Sequence, residues 1–198
     1  MEIKKILKNK KADIRFLYDM KKVLYDQKWV KKSQNLELYY MYRNIKKKSR
    51  LRYDITVIPH KMLGKEFVKT KGHEHSKKYG EIYTVLKGQA IYLMQKYKKN
   101  KIEDVYAVKA KKGESVIIPP YYGHITINPL KKDLISDNWV YEKCQNIFNI
   151  FEKKQGACYY YTKLGWIKNK NYKKIPKLRF EKPLKSMPKN LNFLYGKN

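Results

Sequence analysis

Thr70-Lys71-Gly72-His73-Glu74-His75, followed by Glu81 and, further along, by Pro119-Pro120-Tyr121-Tyr122-Gly123-His124, is the stretch from which the fold can be read. Residues two apart in a strand share a face, so His73 and His75 enter the same side while Glu74 turns away. Glu81 opens the next strand beyond a turn containing Gly80, and His124 arrives from a distant segment after a stiff proline corner. Three imidazoles and a carboxylate form a hard-to-borderline donor set. It suits one divalent ion, Fe(II), Mn(II), Ni(II) or Zn(II), with positions left for water or substrate. A His-x-His pair alone is as often a pair of solvated loop residues, so the spacing around it has to decide.

Gly88 stands six intervening residues after Glu81, Gly113-x5-Pro119 precedes His124, and Asn128 follows it. Those intervals match the two-part motif of the cupins. The surrounding texture agrees. Leu36–Tyr42 and Leu51–Pro59 are rich in strand formers, with the polar stretch Asn44–Ser49 expected to connect them as a loop or hairpin. Short apolar runs then recur at Phe67–Thr70, Glu81–Leu86, Ala90–Gln95, Val105–Lys109, Ser115–Ile118 and Ile125–Asn128, punctuated by glycines. Asn146–Phe151 alternates and is expected to close the series as a strand. Regular short strands with turn signals predict an all-β cupin jelly-roll barrel, an antiparallel sandwich. Residues 13–30 fit a short helix and connectors. The expected division is an N-terminal extension packing on the barrel (1–35), the barrel (36–166) and a basic C-terminal tail (167–198) that is no separate domain.

The chain has 198 residues, enough for one cored domain, and a formal net charge of +30. Such a charge attracts polyanions, but arginine occurs only at Arg15, Arg43, Arg50, Arg52 and Arg179, so lysine supplies nearly all 47 basic residues. Readers of base edges depend on the bidentate fork of arginine, and these lysines are spread along the whole chain. Specific nucleic-acid binding is therefore not expected, whereas attraction to anionic sugar phosphates is. Two cysteines, Cys144 and Cys158, are too few for a disulfide framework and read as reduced thiols. No apolar run is long enough to cross a bilayer and no secretory signal is visible, so a cytoplasmic protein is expected.

Gly64-Lys65-Glu66-Phe67, Thr70–His75, Glu81-Ile82-Tyr83-Thr84-Val85-Leu86-Lys87-Gly88 and Pro119–His124 together resemble the signature segments of the cupin-type glucose-6-phosphate isomerases, known mainly from archaea. The similarity extends upstream through Leu17–Met20 and Tyr39–Tyr42 and covers roughly residues 14–166. The resemblance implies a metal-dependent enzyme of glycolysis and gluconeogenesis, interconverting glucose 6-phosphate and fructose 6-phosphate as a homodimer. It implies one divalent metal, iron foremost, on His73, His75, Glu81 and His124. Phosphate-binding residues would fall on Tyr39, Thr56, Thr70, Gly72 and Tyr83, and catalytic roles on Glu81, Tyr83 and Tyr159. Hydroxyls and a close backbone N–H suit a phosphate dianion. Two departures stand out. The interval from His75 to Glu81 is one residue shorter than the family pattern. The family's late His-x-Tyr element reads Ala157-Cys158-Tyr159 here.

Isomerisation moves a hydrogen between C2 and C1, either as a proton through an enediol with Glu81 as base or as a hydride. Solvent deuterium in the product distinguishes these routes. Two alternatives stay open at this point: a non-catalytic sugar-phosphate-binding cupin, and a cupin oxygenase using the same ligands.

Overall fold

The computed structural model of the chain describes residues 6–196; residues 1–5 and 197–198, the two extreme ends of the expected extension and tail, lie outside the described residues. The strands, in chain order, are β1 (Asp13–Phe16), β2 (Glu37–Lys48), β3 (Leu51–Ile58), β4 (Met62–Leu63), β5 (Glu66–Phe67), β6 (Glu74–His75), β7 (Glu81–Lys87) and β8 (Gln89–Lys98). They continue as β9 (Lys101–Lys111), β10 (Ser115–Ile118), β11 (Gly123–Ile127), β12 (Leu134–Tyr141), β13 (Asn146–Ile147), β14 (Tyr159–Thr162), β15 (Gly165–Lys168) and β16 (Arg179–Glu181). A six-stranded sheet ordered β1-β2-β3-β12-β7-β10 faces a four-stranded sheet ordered β11-β8-β9-β16. Every pairing is antiparallel except that of β16 with β9. This is the all-β cupin sandwich the strand series predicts. Its interior is a continuous apolar cluster that includes Leu38, Ile58, Val85, Leu93, Ile125 and Phe151.

The centre of the six-stranded sheet (β3, β12 and β7) is largely buried on both faces, and its register sorts the two. Tyr53 lies opposite Trp139, and Trp139 opposite Ile82; these residues join Ile55, Leu191 and Leu194 in a second apolar cluster outside the barrel. The other face carries a polar row. Arg15 opposes Tyr39, Met41 opposes Thr56, Asp54 opposes Asn138, and Asn138 opposes Tyr83. Because side chains alternate along each strand, this register gathers them on the barrel's inner side.

Three local expectations are corrected. Asn44–Ser49 is a hairpin connection rather than a loop: β2 runs through it to Lys48, with a bulge between Tyr42 and Lys46, and only Ser49-Arg50 turn into β3. Asn44 adopts a positive φ of 58°, and its N–H donates to Asp54 Oδ1 at 2.8 Å, so the extra residues are accommodated without ending the strand. Asn146–Phe151 is a strand only at β13; the chain then turns into the helix Asn149–Lys153, which buries Phe151 completely. The third is β12, which the strand series omits. Its centre, Ser136-Asp137-Asn138, is polar, and that run conceals a strand lying in the middle of the sheet.

Ahead of the barrel come the short helices Leu17–Met20 and Gln27–Lys32, the second capped by the Asp26 side chain. A buried ion pair, Lys69 Nζ to Glu66 Oε2 at 2.7 Å, also ties this segment down. Lys69 donates to the Val23 carbonyl, and Glu66 accepts from the Tyr25 N–H. Beyond Trp166 the chain runs along the barrel: β16 pairs with β9, Leu184 bridges Ser115, and Leu191 and Leu194 cover the outer face. Among the described residues no helix is long and apolar enough to cross a membrane.

Candidate metal centre

The segment from Lys69 to His73 runs antiparallel to β11, bridged at Lys69–Ile127 and at His73–His124. Reciprocal backbone bonds (His73 N–H to His124 O at 3.3 Å, His124 N–H to His73 O at 2.9 Å) set those two imidazoles side by side. Thr70 Oγ1 accepts the Thr126 N–H at 2.9 Å, fixing the register one step earlier. His75 follows on β6, paired with Asn146 of β13. Glu81 opens β7, as its position after Gly80 predicts. The approach of these segments needs glycine. At Gly72 φ is +85°, and a Cβ would lie 2.5 Å from the Phe151 ring and 2.6 Å from Ile125.

One donor atom from each of His73, His75, Glu81 and His124 lies within 4.8 Å of all the others. Nε2 of His75 is 3.1 Å, and Nε2 of His124 3.3 Å, from Glu81 Oε2. Yet the buried His75 Nε2 and Glu81 Oε2 make no hydrogen bond despite these short separations. His75 Nδ1 meets the Tyr79 carbonyl at 3.1 Å, which fixes the proton there and leaves Nε2 its lone pair. Glu81 Oε1 accepts from Asn138 Nδ2 at 2.6 Å, so Oε2 points back at the imidazoles. Lone pairs aimed at one another in a buried space, each oriented from behind, fit a divalent cation among them.

The electrostatics agree with that fit. Burial, reinforced by His124 and His75, holds His73 well below the usual histidine range, and burial lowers His124 against the pull of Glu81. Burial opposes the charge on Glu81, but the adjacent imidazoles of His124 and His75 prevail and hold its carboxyl well below the usual carboxylate range. His73 and His124 are thus held neutral beside an ionised carboxylate, the states a metal requires of its ligands, whereas His75 is raised: burial lowers it, but Glu81 and the Tyr79 carbonyl outweigh burial. Burial, then the charge of Glu81, pushes the Tyr83 phenol well above its ordinary value, so Tyr83 keeps its proton. Its oxygen is 3.2 Å from His124 Nε2.

The centre opens onto a small, partly open cavity. Tyr39, Thr56, Thr70, Gly72 and Tyr83, five residues from four separate stretches of chain, all line it together with His73 and Glu81. Lys71 lines it too, but its Nζ is 2.6 Å from Glu152 Oε1. Tyr159 stands apart. It is not among the cavity-lining residues, its hydroxyl donates to the Pro176 carbonyl at 2.8 Å, and its ring meets Trp166. Tyr159 is buried in the main apolar cluster, so the structure does not bring it into the cavity with His73 and Glu81. Ala157, where the family pattern has a histidine, is buried in the main core.

Sequence reasoning missed Asn138, Asp54, Arg15, Arg43 and Arg52, all of which line the cavity. The signal for Asn138 and Asp54 was pairing register, since each lies opposite a neighbour on the inner face once β12 is placed between β3 and β7.

Comparison with known proteins yields a consistent family. The sequence matches the family model described as glucose-6-phosphate isomerase over residues 14–177. It is 33% identical over 136 residues to the glucose-6-phosphate isomerase of Thermococcus litoralis, covering 66% of this chain and 70% of that one. With the glucose-6-phosphate isomerase of Pyrococcus abyssi it shares 34% identity over 130 residues, 62% of this chain and 66% of the relative. Among solved structures, recombinant oxalate oxidase in complex with glycolate aligns with 56% of the chain and 55% of its own, at 14% identity and a TM-score of 0.45.

Proposed function

The chain belongs to the glucose-6-phosphate isomerase family, and we propose that it is the isomerase that interconverts glucose 6-phosphate and fructose 6-phosphate at one divalent ion. One observation carries the reading: the three imidazoles and Glu81 share a cavity with a wall of hydroxyls, backbone and guanidinium groups suited to a phosphate. His73, His75, Glu81 and His124 would hold the ion, iron foremost. When bound, it supplies Lewis acidity toward the sugar's carbonyl and hydroxyl oxygens.

The remaining work falls to the chain's own groups. Thr56, Thr70, Tyr39 and the backbone around Gly72 grip the phosphate, and that remote binding energy positions C1 and C2. Tyr83 keeps its phenolic proton and holds it at the inner end of the cavity, where a sugar oxygen accepts it. Both oxygens of Glu81 are engaged, Oε1 by Asn138 and Oε2 toward the imidazoles. Its first duty is therefore as a ligand, and any action as a base has to draw on that same carboxylate. The exposed Ile14 on the edge strand β1 and the uncovered edge of that sheet support a homodimer.

The test is a coupled assay with glucose 6-phosphate on the purified protein, paired with elemental analysis. Turnover is expected, lost on chelation and restored by a divalent ion. The His75→Ala variant should lose metal and turnover together; full metal content and rate in that variant would overturn the ligand assignment. Stabilisation by sugar phosphate with no turnover would mark a binding protein instead.

A further inference from the structure

We propose that Arg15, delivered by the N-terminal strand β1, is an anion-binding residue of this cavity and takes the substrate's phosphate by its guanidinium. The inference rests on the isomerase reading for the identity of the ligand, and on the structure for the site.

A count of charges isolates this side chain. Four lysine and arginine side chains line the cavity: Arg15, Arg43, Arg52 and Lys71. Arg43 Nε is 3.0 Å from Asp13 and its Nη1 3.5 Å from Asp54. Arg52 Nε is 3.0 Å from the same Asp54, and Lys71 is held by Glu152 at 2.6 Å. Three carboxylates thus serve three of the cations. Arg15 has no acidic partner among the described residues, and its Nε is buried with no hydrogen-bond acceptor. A buried guanidinium N–H without an acceptor costs more than most polar defects, and a planar fork matches a phosphate in two parallel bonds.

Its place in the sheet agrees. Arg15 lies directly opposite Tyr39 across the β1–β2 pair, and a register shift follows between Arg15 and Phe16. The Tyr39 hydroxyl accepts the Lys71 N–H at 3.2 Å, immediately before Gly72. Burial raises the Tyr39 phenol, and the charge of Arg15 is the first influence opposing that rise, which puts the guanidinium close to the phenol. Arginine, tyrosine and the Lys71–Gly72 backbone therefore form one concave group, and the metal ligands stand further along the same cavity. The N-terminal strand is thus a wall of the site as well as the edge of the sheet.

The test uses the full metal-loaded chain with inorganic phosphate as probe, followed by thermal stabilisation and calorimetry, alongside sugar-phosphate turnover. Arg15→Gln should weaken phosphate binding by about 10- to 100-fold and raise KM for the sugar phosphate far more than it lowers kcat. Arg15→Lys, which keeps the charge without the fork and is the milder change for folding, should fall between. Metal content should be unchanged in both. Phosphate binding by the glutamine variant within about twofold of the parent would overturn the assignment, as would a lysine variant that folds and loses no affinity. A parent chain that binds phosphate through Arg15 and turns over no sugar would overturn the isomerase reading while leaving this one standing.

Discussion

Asn138 shows how a single side chain governs a centre it does not line as a ligand. Its amide donates to Glu81 Oε1 at 2.6 Å, and that bond decides which carboxylate oxygen faces the imidazoles. The Tyr79 carbonyl does the same for His75. Partners of this kind behind metal ligands are typically worth about 10- to 100-fold in affinity. Asn138→Ala should lower metal affinity by about that factor, read by competition with a chelator, while leaving the far-UV circular dichroism unchanged. Unaltered affinity would show that Glu81 orients itself. The four residues that could hold a metal were legible as a group in the sequence because their intervals are local or follow strong turn signals: His73 and His75 by strand alternation, Glu81 after Gly80, and His124 after Pro119-Pro120. Asn138 was not legible, because its role depends on a register between strands far apart in sequence, and so it appears only once β12 lies beside β7. Tyr159 failed in the opposite direction: its position in a recognisable segment said nothing about where the β14–β15 hairpin points.

Among the elements, the helix Asn149–Lys153 is the one whose sequence misled most, and its reason is steric. Asn146–Phe151 alternates like a strand, but the barrel needs a ring filling the gap behind the histidine segment. The helical turn provides it by burying Phe151. That ring is where a side chain at Gly72 or Gly123 would have to go: a Cβ would approach it to 2.5 Å at the first and 2.8 Å at the second. Phe151 therefore sets the spacing between the Thr70–His75 segment and β11. Phe151→Ala should cost about 3–5 kcal/mol of stability, the usual range for an emptied aromatic core site. The same variant should also bind metal more weakly, because His73 and His124 lose the backing that holds their segments together. Denaturant unfolding and a metal titration measure the two effects, and a large stability loss with metal affinity intact would confine Phe151 to the core. Strands with clean turn signals, such as β7, β8 and β10, could be read directly. β2 and β12 could not, since a bulge conceals one and a polar centre the other.

At the scale of the whole molecule, the net charge of +30 acts in two opposed ways. The lysines repel one another in the folded state, and that repulsion weakens as the screening length falls from about 10 Å at 0.1 M salt to about 3 Å at 1 M. The same field draws a phosphate dianion toward a cavity where Arg15 alone has no acidic partner among the described residues, and salt screens that attraction as well. Added sodium chloride should therefore stabilise the fold and weaken the substrate together. Between 0.1 and 1 M, the melting temperature should rise by a few degrees, on the basis that about 1 kcal/mol moves it by about 2–4 °C in a chain of this size. Over the same range KM for the sugar phosphate should climb several-fold while kcat stays near constant, since the inner end of the cavity is buried and poorly screened. Chloride carries no phosphate geometry, so inorganic phosphate at equal ionic strength should raise the melting temperature further, and Arg15→Gln should remove only that additional rise. A melting temperature that falls with salt would mean that attractive ion pairs, such as Arg179 with Asp104, outweigh the repulsion among the lysines. A KM indifferent to salt would mean that the phosphate is gripped by short-range contacts alone.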